Sequence, residues 1–473
     1  MIYTHLFNTT GSTMIDITSS SLTDIARAIR NKEISSLEAV DACLRRIEEV
    51  NPTLNAVVTL AEDAQDRARA ADEALARGDA VGPLHGVPMT IKDSLDTAGV
   101  VSTWGTPGRR NFVPATDATV VARMKAAGAI LLGKTNTSEF TLSFYTNNPI
   151  FGPTRNPYDP ERMSGGSSGG AAAIVAAGGS PVDLGTDTGG SVRLPAHFCG
   201  IAGIRPTTGR VPRTGHAVPF GGLADSFTQV GPLARRVDDL QLVLEVIAGP
   251  DGVDPYIIPM PLRDPSAVTL KGLRVAYFTD NGLATPTPET VATVERAIGA
   301  LAGAGCRIEE AQIPGVEQSQ LLLRGLLRAT GAAWERAALA RAGTSLAETS
   351  MGFVHTAQPL SPEELVQMWE DLDSFRSQAL QWFEQYDLIV SPVNATPALP
   401  VGPVEAQIHN FTYTMTHNLT GWPSAVVRAG TSPTGLPIGV QCTAHPWRED
   451  IALAGVGLLE KAFGGWRQPT AIL

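Results

Sequence analysis

The stretch from Gly165 to Pro206, GGSSGGAAAIVAAGGSPVDLGTDTGGSVRLPAHFCGIAGIRP, constrains the fold more than any other part of the chain. Glycine at this density costs conformational entropy, so the glycines must meet a geometric need. A flexible linker would not carry an apolar interior such as Ala171 to Ala177. Small residues there predict a helix packed closely beneath a loop. Thr186-Asp-Thr-Gly-Gly-Ser191 then has the form of a tight turn presenting consecutive amides, an arrangement suited to an oxyanion, with Ser191 at its end.

The surrounding sequence alternates between strand and helix patterns. Ser35-Ser-Leu-Glu38 reads as a capping box, and Leu37, Val40, Leu44 and Ile47 recur at helical spacing until Asn51-Pro52 stops the helix. A second, Ala-rich helix covers roughly Thr59 to Arg77. Val87 to Ile91 and Ala129 to Leu132 look like buried strands, and Thr119 to Ala127 like a helix capped by Gly128. Gly249 to Pro265 is a connector; Leu273 to Phe278 is a strand, Pro288 to Ala304 a helix, about 318–385 a mainly helical insertion, and Asp387 to Val390 another strand. The alternation predicts an α/β fold: a single large domain over 1–473, with a mixed, twisted β-sheet covered by helices on both faces. N-terminal helices fill about 20–78 and a core about 79–250.

Composition sets the outer limits. Hydrophobic residues make up 43% and charged residues 18%, which excludes general disorder. A net charge of −11 lacks the electrostatic footprint of a nucleic-acid or membrane-surface binder. Cys43, Cys199, Cys306 and Cys442 are far apart, without a CxxC pair or a Cys/His cluster, so neither a zinc site nor a disulfide framework is expected. The N-terminal twenty residues lack the pattern of a signal peptide, and no apolar run is long enough to span a membrane. The expectation is a cytoplasmic protein, monomeric or homodimeric, with no nucleic-acid or membrane partner.

Two short motifs compete with this reading. Gly128 to Thr135 matches GxxxxGK[ST] letter for letter, but its middle residues Ala-Ile-Leu-Leu make a buried strand, not a loop whose amides turn toward phosphate. Gly165 to Gly169 matches GxSxG, the nucleophile elbow. His197, His216, His355, His409, His417 and His445 all follow in chain order, so order does not exclude a Ser-His site. The elbow also needs a strand running into its serine, and Asn156 to Met163 is polar and interrupted by proline. A serine needs a base. Lys92, at the end of a predicted strand, is one candidate, although a lone lysine is commonly a solvated surface charge.

The segment resembles the amidase signature family, the Ser-cisSer-Lys hydrolases, and within it aryl amidase or urethanase-like members. The pattern GGSSGG…P…GTD.GGS.R.PA…G..G.KPT.GR.P is met almost throughout from Gly165 to Pro212, with Arg205 where the family commonly has Lys. Gly86-x-Pro-x-x-x-Lys92-Asp93, Phe151-Gly-Pro-Thr-Arg-Asn-Pro157 and the segment 435–441 also fit. The resemblance implies that Ser191 is the nucleophile, Ser167 the bridging serine after a cis peptide bond, and Lys92 the general base. It places the oxyanion hole at the amides from Thr188 through Gly189 and Gly190 to Ser191. Asp187 and Arg193 would brace the loop, and Ser168 would support the relay. Lys92 would have to be neutral, its pKa brought from about 10.4 toward 7–8, roughly 4 kcal/mol of differential interaction. No metal or organic cofactor is implied, and the eight histidines default to structural or surface roles.

The same resemblance spans hydrolases of aliphatic, aryl and fatty acyl amides, carbamate hydrolases, and the glutamine-hydrolysing component of the tRNA-dependent amidotransferases. In that last subgroup an acidic residue lies ten positions before the Gly of Asn-Leu-Ala-Gly-x-Pro; here the segment is Asn418-Leu-Thr-Gly421-Trp-Pro423 and the position is Phe411. A ring cannot pair with an ammonium as a carboxylate does. Phe144, Phe151, Phe220, Phe411 and Trp422 are candidate pocket walls or plain core, and as walls they favour a small-molecule aryl amide, anilide or carbamate. A non-catalytic binding protein on this fold would need a lost catalytic residue, and none is lost.

Overall fold

A computed structural model describes residues 15–218, 225–402 and 404–472. Eleven strands among them form one mixed sheet. In chain order these are β1 (Val57–Leu60), β2 (Pro88–Lys92), β3 (Ile130–Thr135), β4 (Val182–Asp187), β5 (Ala202–Arg205), β6 (Gln229–Ala234), β7 (Arg274–Tyr277), β8 (Arg307–Glu310), β9 (Leu388–Pro392), β10 (Ser424–Thr431) and β11 (Pro437–Ala444). Across the sheet they run β1-β3-β2-β4-β6-β5-β10-β11-β9-β7-β8. β2 is parallel to both β3 and β4, and β7 to both β8 and β9. The strands between β4 and β9 are antiparallel, as is β1 against β3.

Every residue of β2, β3 and β4 is buried, as expected of parallel strands covered on both faces. Strand alternation divides the core: Leu131 packs into one cluster, Ile130 and Leu132 into the other. The first cluster is covered by helices Leu22–Arg30, Thr119–Ala126, Val237–Ile247, Pro288–Gly303 and Glu449–Phe463. The second is covered by helices Ser36–Leu54, Gly169–Ala176 and Arg193–Cys199. Gly169–Ala176 is the expected close-packed helix. A Cβ at Gly170 would stand 2.6 Å from the Asn136 carbonyl oxygen, so only glycine admits this approach. The expected helical insertion contains Ser319–Arg328, Ala333–Ala342 and Pro362–Phe383; the first and third build an aromatic-rich cluster with helix Thr412–Thr420, while Ala333–Ala342 packs into a smaller cluster with Phe140 and Met351.

The Ser35 capping box is formed, with Ser35 Oγ accepting from the Glu38 amide (3.0 Å) and the Glu38 carboxylate from the Ser35 amide (2.7 Å). Three boundaries differ from expectation. The first long helix continues through Pro52 to Leu54, because in the last turn a proline removes only one helical hydrogen bond. The expected helix from Thr59 begins at Ala64 instead; Asn51 Oδ1 accepts from the Ala56 and Val57 amides (2.8 Å each) and turns Val57–Leu60 onto β3. Thr186 and Asp187 prolong β4, paired with Val230 and Gln229, so the tight turn starts at Thr188. Gly133-Lys134-Thr135 lies inside β3, with Lys134 Nζ buried against the Leu95 carbonyl and 2.7 Å from Thr97 Oγ1, which leaves no phosphate loop. All four cysteines are buried and free.

No helix among the described residues is long and apolar enough to cross a membrane. Residues 1–14, on which the expectation about a leader falls, lie outside the described residues.

Candidate active site

Lys92 ends β2 fully buried. Its Nζ lies 2.7 Å from Ser167 Oγ, 2.9 Å from Ser168 Oγ and 2.8 Å from Thr186 Oγ1. No salt bridge reaches it among the described residues, so its immediate neighbours are three hydroxyls. Burial lowers its pKa well below the ordinary lysine value, while the charges of Asp183 and Asp187 pull partway back. Three hydroxyls satisfy either protonation state: an ammonium donates to all three, whereas a neutral amine donates to two and accepts from the third.

Ser167 follows a cis Gly166–Ser167 peptide, immediately before helix Gly169–Ala176. Thr146 pins this turn, its hydroxyl donating to the Ser167 carbonyl (3.1 Å) and accepting from the Gly169 amide (2.8 Å). Ser168 Oγ donates to the Thr186 carbonyl (3.3 Å) and so ties the turn to β4. Ser191 sits in the turn between β4 and helix Arg193–Cys199 and is 4% exposed. Its hydroxyl makes no hydrogen bond among the described residues, so the Ser167–Ser191 link implied by the resemblance is not closed. Phe144 spans the two turns: a Cβ at Gly166 would lie 2.6 Å from the Phe144 carbonyl carbon, and one at Gly189 would lie 3.3 Å from its ring.

Asp187 holds the Ser191 turn from beneath. It accepts from the Gly190 amide (2.8 Å), Asn418 Nδ2 (2.8 Å), and Arg193 Nε and Nη2 (3.0 and 3.1 Å), with Arg205 4.0 Å away. Burial alone would raise its pKa, but Arg193, Arg205 and Asn418 outweigh it and hold the carboxyl well below the ordinary range. Arg193 also donates to Asn418 Oδ1 (2.6 Å) and the Thr414 carbonyl (3.0 Å). One expected oxyanion donor is therefore taken: the Gly190 amide already serves Asp187. The Gly189 and Ser191 amides make no hydrogen bond among the described residues. Thr414 Oγ1 donates to the Gly189 carbonyl (2.6 Å) and thereby orients the neighbouring peptide.

The aromatic candidates separate. Phe144 stacks on Phe411 at 4.8 Å and 12°, and Leu323 completes the apolar side of the Gly189 turn. Trp422 is core: it is buried and packs 4.6 Å from Phe383, which in turn stacks on His445. Phe151 belongs to a loop; its carbonyl accepts from Asn55 (2.7 Å), and its amide donates to Asn148 Oδ1 (2.9 Å). Phe220 lies outside the described residues. Among the described residues no histidine is hydrogen-bonded to Ser167 or Ser191. His197 is used structurally, between the Thr396 carbonyl and the Gly439 amide. The described residues also contain no group of three or more His, Cys, Asp or Glu placed to hold a metal.

Sequence reasoning missed Thr186, Thr414, Asn418 and Leu323 as parts of the site. Thr186 and Asn418 stand inside the motifs already singled out, whereas Thr414 and Leu323 reach the site from helices distant in sequence.

The large mixed sheet thus brings a buried lysine among hydroxyls at the ends of β2 and β4, and the fold is that of enzymes hydrolysing C–N bonds. The Amidase family model matches residues 38–453, and the chain belongs to this family, the amidase signature enzymes. It is 38% identical, over 92% of its length and 94% of the relative's, to the glutamyl-tRNA(Gln) amidotransferase A subunit from Roseiflexus sp. (strain RS-1). It is 35% identical to the indoleacetamide hydrolase of Bradyrhizobium diazoefficiens (strain JCM 10833 / BCRC 13528 / IAM 13628 / NBRC 14792 / USDA 110), over 94% of this chain and 86% of that one. Among solved structures, 6-aminohexanoate cyclic dimer hydrolase in complex with its substrate superposes with a TM-score of 0.87 at 28% identity, covering 97% of this chain and all of the other.

Proposed function

We propose that this chain hydrolyses small aryl amides, anilides or carbamates through an acyl-enzyme on Ser191. The observation that carries the reading is Lys92 Nζ, buried and held only by hydroxyls, 2.7 Å from Ser167. A lysine kept from solvent and from direct carboxylate contact favours the neutral amine, which is the form able to accept a proton. Ser191 attacks the carbonyl carbon while its proton passes to Ser167, whose own proton moves to Lys92. The developing oxyanion meets the Gly189 and Ser191 amides. On collapse, the C–N bond breaks and the proton returns through Ser167 to the departing nitrogen. Water then cleaves the acyl–oxygen bond by the same relay and restores Ser191. The Ser191 hydroxyl has no competing hydrogen bond among the described residues, which leaves its side chain free to rotate into the relay.

Stacked Phe144 and Phe411, with Leu323 beside the Gly189 turn, favour a flat apolar substituent on the substrate. A second reading, glutamine hydrolysis within an amidotransferase, is favoured by the 38% identity to the Roseiflexus protein. Against it, Phe411 is fully buried where that activity would need a carboxylate for the glutamine ammonium. The test is a panel of p-nitroanilides, aryl carbamates and glutamine with the purified protein alone. Turnover of the aryl substrates, lost in Ser191→Ala, is the expected result. Turnover of glutamine alone, or only with a partner protein present, would reverse the ranking.

A further inference from the structure

The catalytic scheme leaves one buried carboxylate beside Lys92 without a task. Asp183 lies on β4 in register with Thr90 of β2. Thr90 and Lys92, two residues apart, share a face of the sheet, and parallel partners share it too, so Asp183 stands on the Lys92 side. It is fully buried. Its Oδ2 accepts from Thr135 Oγ1 at 3.0 Å, and Thr135 is the β3 partner of Lys92. The Thr90 hydroxyl also faces the carboxylate and favours its ionised form, although neither Asp183 Oδ1 nor Thr90 Oγ1 completes a hydrogen bond of good geometry. On the β6 side the neighbour is apolar Leu233.

A buried carboxylate ordinarily gathers several donors or a guanidinium, as Asp187 does four residues later. Asp183 has only the hydroxyls of Thr90 and Thr135, and the cations that feel its charge are Lys134 and then Lys92, for which Asp183 is in turn the foremost charged neighbour. Lys134, paired with Ile91, points to the opposite face and is held there by Leu95, Thr97 and Ser102. The other charged or titratable groups around Lys92 are Asp187, matched by Arg193 and Arg205, and His216, which burial keeps neutral. Burial pushes Asp183 itself up to about 7, into the range where such an enzyme would work.

We propose that Asp183 is a positioning residue that sets the protonation of Lys92: ionised, it holds the ammonium form, and neutral, it releases the amine. The inference rests on the reading of Lys92 as the base. The pair carries two protons in acid, one at intermediate pH and none in base. In the one-proton state, the form with the proton on Asp183 leaves Lys92 able to accept from Ser167. The form with the proton on Lys92 does not. No electron or co-reactant is involved.

The chain has six lysines, which makes the titration of Lys92 resolvable by NMR of protein labelled with carbon-13 at lysine Cε, with Lys92→Met for assignment. Asp183→Asn should move the Lys92 midpoint down by about one pH unit or more, with the acid limb of kcat/KM moving alongside. Thr135→Val, which keeps the carboxylate but removes its hydroxyl donor, should move the midpoint the same way and less; it carries the test if Asp183→Asn does not fold. A midpoint that stays or rises in the folded variants overturns the proposal. If the midpoint falls as expected but Lys92→Ala and Ser191→Ala retain full hydrolysis, the coupling stands and the catalytic reading fails.

Discussion

Replacing Asp187 by asparagine isolates the bracing of the Ser191 turn. The carboxylate receives Gly190, Asn418 and two Arg193 nitrogens, all between 2.8 and 3.1 Å, in a site where Asp187, Arg193 and Arg205 have no exposed surface. Asparagine keeps the shape and one acceptor but removes the charge, leaving two buried guanidiniums uncompensated. Removing one partner of a buried ion pair costs about 3–5 kcal/mol. Asn418 Oδ1 and the Thr414 carbonyl still accept from Arg193, which places the expected loss near ~3 kcal/mol, the lower end of that range. A chain of this length unfolds with so large an entropy that each kcal/mol shifts the thermal midpoint by only about 1 °C. Urea titration followed by tryptophan fluorescence is the better assay. Because the native carboxyl is held below its unfolded value, its contribution is present above about pH 4 and lost as the pH falls toward the native pKa. The gap between parent and variant should therefore be full at pH 7 and begin to close below about pH 4. A loss under about 1 kcal/mol at pH 7, or a gap equally wide at pH 3, would refute the reasoning.

Further outcomes follow from the same geometry. Gly190→Ala should cut kcat by at least about tenfold, since φ is +133° there and the new Cβ would lie 2.8 Å from Thr414 Cβ; unchanged steady-state kinetics would contradict the tight turn. Phe411→Leu removes the buried ring on which Phe144 stacks, worth about 0.5–1.5 kcal/mol, and should through Phe144 lower kcat/KM for aryl substrates by up to roughly 2–13-fold while sparing small aliphatic amides. Lys92→Met should flatten the pH dependence of stability. The parent's unfolded state takes up a proton that native Lys92 resists, so parent stability rises with pH between the lowered native pKa and about 10.4, a rise that urea titration at several pH values would detect.

Much of the site is legible in the sequence because its chemistry is concentrated in contiguous motifs. The Gly165–Gly170 and Thr188–Ser191 segments fix two turns by their glycines, and Lys92 stands at the end of a five-residue buried strand whose pattern is plain. What stays hidden depends on contacts between distant segments. Thr186 reads as the start of the tight turn until β4 is laid beside β2, and only then does its hydroxyl become the third neighbour of Lys92. Asp183 looks like an interruption of an apolar strand for the same reason. Leu323 and Thr414 enter from helices whose docking no local pattern reveals. Trp422 shows the converse problem, since an aromatic residue beside a site motif serves equally as wall or core, and packing against Phe383 decides for core. β1 reads as the start of an Ala-rich helix because a four-residue strand has too little periodicity to outweigh the helix that follows; the deciding signal is the Asn51 side chain.

The identity of the nucleophile and its dependence on Lys92 are tested most directly by mass spectrometry of protein quenched during turnover of a slowly deacylating aryl carbamate. The expected product is a carbamoyl group on Ser191, absent in Ser191→Ala and formed much more slowly in Lys92→Ala. A carbamoyl group on Ser167 or a histidine, or full turnover by Ser191→Ala, would contradict the proposed relay.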